Sequence, residues 1–132
     1  TLLVDVNELI LSINHFSALP ASMVPSLAPS LHILDLESNE LQHLPPNIGQ
    51  LTALVELHLG RNALLRLPPT FSDLRALEVL DLSHNLLESL DPGLFAWMTQ
   101  LRDLNLSYNQ LRRLPSSLGL RAASLAHLQL YN

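Results

Sequence analysis

Residues 54–68 read LVELHLGRNALLRLP, and residues 77–91 repeat the pattern as LEVLDLSHNLLESLD. Each stretch places leucine, two variable residues, leucine, one variable residue, leucine, two variable residues and then asparagine, and two further leucines follow. The same string recurs every 23 to 25 residues along nearly the whole chain. A fixed period of this length is the signature of a repeat architecture. Further copies begin at Leu31 and Leu101, a looser one begins at Val6, and a partial one begins at Leu125.

The period predicts one domain built from successive repeats. We place the repeats at about 6–30, 31–53, 54–76, 77–100 and 101–124, with a partial copy at 125–132. The last copy stops before its asparagine, so we expect a fragment of a longer repeat array without its capping repeats. Uncapped ends would expose apolar side chains and favour association or fraying at the C-terminal end. These side chains are Leu2, Leu3 and Val4 at one end and Leu125, Leu128 and Leu130 at the other.

The leucine spacing predicts a short strand in each repeat. Side chains alternate between the two faces of a strand, so Leu57 and Leu59 point to one side while Glu56 and His58 point to the other. One repeat cannot bury its own leucines, so each must stack on its neighbours. The asparagines follow the strands, where a buried amide can satisfy the backbone groups of a turn. They are Asn14, Asn39, Asn62, Asn85 and Asn109.

From residue 6 to residue 132 the chain resembles the leucine-rich repeat family. The resemblance implies an α/β fold, a right-handed solenoid shaped as a curved horseshoe segment, with a parallel concave β-sheet. Phe71 and Phe95 resemble the phenylalanines that fill the convex side of typical repeats. Proline-rich convex segments predict turns and short 3₁₀ helices. Trp97 and Met98 are expected in the core or in a partly covered convex patch.

The composition excludes several classes of function. The chain has no cysteine and all seven basic residues are arginine, so a thiolate metal site, a cysteine nucleophile and a lysine-containing phosphate loop are absent. The net charge of −5 argues against nucleic-acid binding, which needs a positive surface. No apolar stretch reaches the length of a membrane span. The histidines and serines lack the oriented third group of a catalytic triad. We therefore expect no enzymatic activity. We also expect no cofactor, no bound metal and no small-molecule substrate.

The variable strand positions carry the whole net charge. Read in columns, they hold six of the 12 acidic residues and one of the seven arginines, which gives this face a charge of −5. Clustered charge on a rigid surface steers an oppositely charged partner. Because arginine and aromatic side chains are typical interface anchors, we expect a protein partner, with a basic surface, to bind here. The predicted partner-binding residues are Asp35, Glu37, Glu56, His58, Arg61, Asp81, His84, Asp103, Asn105, Tyr108, Gln129 and Tyr131.

One column places Asp35, His58 and Asp81 on three adjacent strands, which are about 4.8 Å apart in a parallel sheet. Three interpretations follow from this arrangement. The side chains could form a hydrogen-bonded ladder, a pH-sensitive binding spot, or part of the ligand set of a divalent metal. We favour the ladder, because an exposed metal site would also need an ordered second shell.

Two functions of different class remain open. The copies that run Leu-Pro, then Asn47, Ile48, Gly49 and Leu51, with 23-residue spacing, resemble intracellular repeat proteins of the Ras-suppressor and scaffold type. That resemblance implies a cytoplasmic signalling scaffold that acts on small GTPase or phosphatase pathways. The 24-residue copies are instead similar to extracellular receptor or matrix repeats, and Asn105-Leu106-Ser107 is a formal N-glycosylation sequon. The absence of cysteine favours the first function.

Overall fold

The structure is a computed structural model that describes residues 5–132. Six short strands form one parallel sheet, in which each strand pairs with the strand of the next repeat. The second leucine of each motif lies beside its equivalent in the next repeat. The predicted solenoid with a parallel sheet is confirmed. Leu2, Leu3 and Val4 lie outside the described residues. The strands are β1 (Glu8–Ile10), β2 (Ile33–Asp35), β3 (Glu56–His58), β4 (Val79–Asp81), β5 (Asp103–Asn105) and β6 (His127–Gln129).

The leucines of the motif build the core between the sheet and the convex side. Leu57 and Leu59 are fully buried, and their equivalents in the neighbouring repeats are nearly so. Phe71 and Phe95 are also fully buried, as predicted. Burial of apolar side chains stabilises the fold by about 25 cal/mol for each Å² removed from water. The stacking of repeats therefore supplies the driving force that one repeat lacks.

The return segments on the convex side are short helical turns. Proline precedes three of them, at Pro20, Pro68 and Pro115, where the backbone is extended and the ring fixes φ near −60°. At these prolines the backbone direction is therefore fixed as the chain enters the tight turns of the convex side. The helical turns are the 3₁₀ helices Ala21–Met23, Ile48–Gln50, Pro69–Asp73 and Ser116–Arg121, together with the short α-helix α1 (Val24–Leu27).

The asparagine side chains join each repeat to the one before it. Asn85 donates through Nδ2 to the carbonyl oxygen of Leu59 in the preceding repeat at 2.9 Å and to those of Leu82 and Ser83 in its own repeat at 3.1 Å each. Its Oδ1 accepts the backbone N–H of Leu64, also in the preceding repeat, at 2.9 Å. One side chain thus satisfies four backbone groups, which confirms the predicted structural role. The same set of bonds is made by Asn39, Asn62 and Asn109.

We predict that Asn85→Ala lowers the free energy of unfolding by about 3 kcal/mol, because several buried backbone groups lose their partners. Asn14→Ala is the matched control. Asn14 is exposed and bonds only to the carbonyls of Leu11 and Ser12 in its own repeat, so a loss below about 0.5 kcal/mol is expected. Urea unfolding followed by circular dichroism measures both. Equal losses in the two variants would contradict the role of Asn85 as a link between repeats.

The residue before each asparagine has a left-handed backbone. Its φ is between 54° and 57°, and its N–H donates to a carbonyl of the following repeat. This conformation suits glycine and asparagine, and it costs other residues about 1 kcal/mol or more. The sequence did not predict it, because five different residue types share the position. They are Ile13, Ser38, Arg61, His84 and Tyr108.

Ile13→Gly should raise the free energy of unfolding by about 1 kcal/mol. Ile13 has φ 56° and is 82% exposed, so glycine relieves strain and costs little burial. Ile10, on the regular strand β1 and also exposed, provides the control, because Ile10→Gly only removes β-propensity and lowers stability. Thermal unfolding compares the two variants. A loss of stability in Ile13→Gly would show that the left-handed backbone is not strained there.

Gly49 lies where two convex turns meet. A Cβ at this position would come within 2.2 Å of the carbonyl oxygen of Thr70. The Gly49 N–H donates to the Thr70 hydroxyl at 3.3 Å, and that hydroxyl donates to the carbonyl oxygen of Pro46 at 2.6 Å. The close approach of Gly49 and Thr70 therefore also allows hydrogen bonds between neighbouring repeats.

Gly49→Ala should destabilise the chain by about 1–3 kcal/mol, since a backbone oxygen cannot move aside as a flexible side chain would. Gly119→Ala is the control, because an added Cβ there meets no atom within 4 Å. Differential scanning calorimetry should show a lower Tm for the first variant and an unchanged or slightly higher Tm for the second. If the two Tm values move together, the contact with Thr70 does not require glycine.

The C-terminal strand leaves leucines uncovered among the described residues. Leu128 is 42% exposed and Leu130 is 39% exposed, whereas Leu104 in the preceding repeat is 2% exposed. The apolar edge expected from the sequence is therefore present at this end. Association or fraying of this edge stays a prediction.

Candidate interaction surface

The variable strand positions align in columns across the sheet. Asp35 lies beside His58, His58 beside Asp81, and Asp81 beside Asn105. A second column on the same face runs through Glu56 and Asp103. We call this surface the acidic concave face. Its polar and aromatic residues are Glu8, Asp35, Glu37, Glu56, His58, Arg61, Asp81, His84, Asp103, Asn105, Tyr108, His127, Gln129 and Tyr131.

The neighbours predicted for His58 are in place, but the predicted hydrogen-bonded ladder is not. His58 Nε2 lies 3.2 Å from Glu56 Oε2 on its own strand. Asp35 and Asp81 lie beside His58 on the two adjacent strands. Each of them instead uses one carboxylate oxygen to accept the backbone N–H of the residue two positions further along the sequence. The ladder interpretation was therefore wrong, because bonds to local backbone compete with bonds across the strands.

Asp35 and Asp81 also close the end of their strands. Asp35 Oδ1 accepts the backbone N–H of Glu37 at 2.9 Å, and Asp81 Oδ1 accepts that of Ser83 at 2.8 Å. Asn105 makes the same bond to the N–H of Ser107 at 3.0 Å. Asparagine therefore serves this position as well as aspartate, so the negative charge of the two aspartates is not required by the fold.

A hollow on this face crosses strands β3 to β6. It has a volume of about 330 Å³. His127 contacts Asp103 through its Nδ1, so a second imidazole pairs with a second carboxylate. His127 was missing from the predicted binding residues although it shares a column with Glu56 and Asp103. That column position was the signal that could have found it. Polar side chains that line the hollow are His58, Asp81, Asp103, Asn105, His127 and Gln129.

Predicted anchors border the face where the strands end. The rings of His84 and Tyr108 stack, with centroids 4.3 Å apart and an interplanar angle of 18°. Arg61 Nε lies 3.9 Å from Glu37 Oε1, but both side chains are largely exposed and the pair is weak. Tyr131 is 65% exposed in the last repeat. The structure thus places the predicted anchors in successive repeats along one border.

The convex side has a separate feature. Met98 is buried, as one sequence interpretation expected, whereas Trp97 is 61% exposed. The guanidinium of Arg75 lies 5.5 Å from the centroid of the Trp97 ring, within range of a cation–π contact.

A hollow of about 490 Å³, larger than the concave one, lies between Pro68 and Pro92. Its walls are mainly proline and leucine, and none of the acidic columns reaches it.

Residues 5–132 contain neither a metal-ligand cluster nor a helix that could span a membrane. No three side chains of His, Cys, Asp or Glu group there as a metal ion would require. Within the same residues, no helix has both the length and the apolar character needed to cross a bilayer.

A parallel sheet of three-residue strands, one from each repeat and joined by short helical turns, defines a repeat solenoid. The family model for the leucine-rich repeat matches residues 5–64 and 52–111. The chain belongs to the leucine-rich repeat family. Domains of this family generally mediate protein–protein interactions and are generally noncatalytic.

One solved structure similar to this chain is that of a leucine-rich repeat protein of Leptospira interrogans. The two are 33% identical in sequence and superimpose with a TM-score of 0.88. The similarity covers 96% of this chain and 31% of that protein's chain. The search of curated proteins finds no match. Since one fold carries many functions, this similarity defines the fold of the chain and not its partner.

Proposed function

We propose that this chain is a noncatalytic interaction module that binds a protein partner with a basic surface on its acidic concave face. The observation that carries the proposal is the segregation of charge. Six acids and one arginine lie at the concave columns and the two positions that follow them, and the remaining acids and arginines cancel. A charge of −5 on an ordered sheet makes the local electrostatic potential strongly negative, which speeds the association of a cationic partner.

Contacts within the face support the proposal. The hollow across β3 to β6 offers carboxylate and amide oxygens that accept hydrogen bonds from arginine or lysine. The stacked rings of His84 and Tyr108 present a rigid aromatic edge, and such rings bind at low entropic cost. Strands rather than loops hold most of the acids, so little ordering is needed when a partner binds.

We propose a cytoplasmic role for the module, as a signalling scaffold or regulator of small GTPase or phosphatase pathways. The cytoplasmic role is supported by the spacing of the repeats and by their Leu-Pro motif, both of which resemble those of intracellular scaffold proteins. The alternative is an extracellular receptor or matrix segment, which the Asn105 sequon favours. Ser107 of that sequon is 2% exposed, and its hydroxyl accepts the backbone N–H of Tyr131 at 3.0 Å. A glycan at Asn105 would also stand on the face that binds the partner, so these two features support the cytoplasmic role.

The test compares three forms of the chain as bait in parallel pull-downs from cytosolic lysate and from extracellular fluid. The face variant carries Asp35→Asn, Glu56→Gln and Asp81→Asn, which remove three charges and keep hydrogen-bonding oxygens in place. The control variant carries Asp5→Asn, Asp73→Asn and Glu88→Gln, which remove three charges from exposed positions off the face. We expect wild type and control to capture a shared set of basic proteins that the face variant loses or binds at least about tenfold more weakly.

Affinity is then measured with the purified captured protein by isothermal titration calorimetry. Equal affinity for all three forms would overturn the proposal that this face binds the partner. Equal weakening of both variants would mean that net charge, rather than the acidic concave face, determines binding. Capture only from extracellular fluid would favour the receptor or matrix alternative.

A further inference from the structure

The six histidines of the chain divide evenly between two environments. Three lie on the acidic concave face or its border, at His58, His84 and His127. The other three are exposed and lie off that face, at His15, His32 and His43. Histidine is the side chain whose charge changes between pH 5 and 8. The face and the rest of the molecule therefore carry equal numbers of histidines.

Two of the three face histidines each contact a carboxylate. His58 is flanked by Asp35 on β2 and Asp81 on β4, and it contacts Glu56 on its own strand. His127 contacts Asp103 on β5. A protonated imidazole at either position would neutralise a carboxylate that a cationic partner would otherwise bind.

The third face histidine lies among different groups. His84 stacks on Tyr108 in the next repeat, and Arg61 holds the equivalent position in the preceding repeat. A proton on His84 would therefore add a second positive charge beside Arg61. Protons on all three imidazoles would change the formal charge of the face from −5 to −2.

We propose that the acidic concave face is a pH-dependent binding surface that holds a basic partner at neutral pH and releases it on mild acidification. The proposal rests on the proposed function, since it concerns the same face and the same class of partner. It adds that His58, His84 and His127 set the pH response. The direction follows from charge, because falling pH adds positive charge to a surface that binds positive charge.

The experiment uses a fluorescently labelled nona-arginine peptide as the cationic probe. Fluorescence anisotropy measures its Kd at pH 7.5 and pH 5.5 at constant low ionic strength, and circular dichroism verifies the fold at both values. For the wild type we expect binding to be about tenfold weaker at pH 5.5, which corresponds to a few weak charge interactions. The face variant carries His58→Gln, His84→Gln and His127→Gln, and it should show less than about a twofold change.

The control carries His15→Gln, His32→Gln and His43→Gln, which removes the same number of titrating groups from outside the face. It should keep the roughly tenfold response of the wild type. A full response in the face variant, or its loss in the control, would overturn the proposal. Binding with no pH response in the wild type would also overturn it and would leave the proposed function standing. Absence of binding at pH 7.5 would instead contradict the proposed function itself.

Discussion

The alignment of the repeats depends on the hydrogen bonds that four of the repeat asparagines make to backbone of their own repeat and of the preceding one. Asn85 shows the requirement most clearly, because its amide satisfies donors and acceptors in two repeats. The backbone that turns away from a strand would otherwise bury unpaired carbonyl and N–H groups, each costing about 1–3 kcal/mol. Leucine packing supplies most of the stabilising free energy, but it is not directional. The asparagine hydrogen bonds are directional, so they determine how each repeat aligns with the preceding one and thereby the register of the sheet.

A fixed register turns positions in a repeat into positions on a surface. Because the strands pair in parallel and without slippage, one variable residue per repeat becomes a continuous column, such as the one from Asp35 through His58 to Asp81. A substitution there changes the surface and leaves the leucine core untouched. This separation explains how one fold can carry unrelated binding functions. It also explains how the net charge of a whole chain can lie on one face.

Much of the fold could be predicted from the sequence, since leucine spacing and the asparagine column report burial and backbone bonding directly. The composition of the concave columns could be predicted for the same reason. Side-chain partners could not, because Asp35 has both a backbone N–H and the neighbouring His58 within reach, and only geometry decides between them. The left-handed position was also hidden, because residues as different as Ile13 and Tyr108 occupy it and no glycine marks it.

That left-handed position bears on function. Glycine or asparagine would adopt φ near +55° with less strain, yet three consecutive repeats place Arg61, His84 and Tyr108 there. Nothing in the core needs these side chains, since Arg61 and Tyr108 are exposed and His84 is only half-buried. All five of these repeats share the conformation, including those with Ile13 and Ser38, so it belongs to the fold and leaves the type of side chain free to vary. At the border of the acidic concave face this variable position carries arginine, histidine and tyrosine, and arginine and aromatic side chains are the residue types that most often anchor a protein interface.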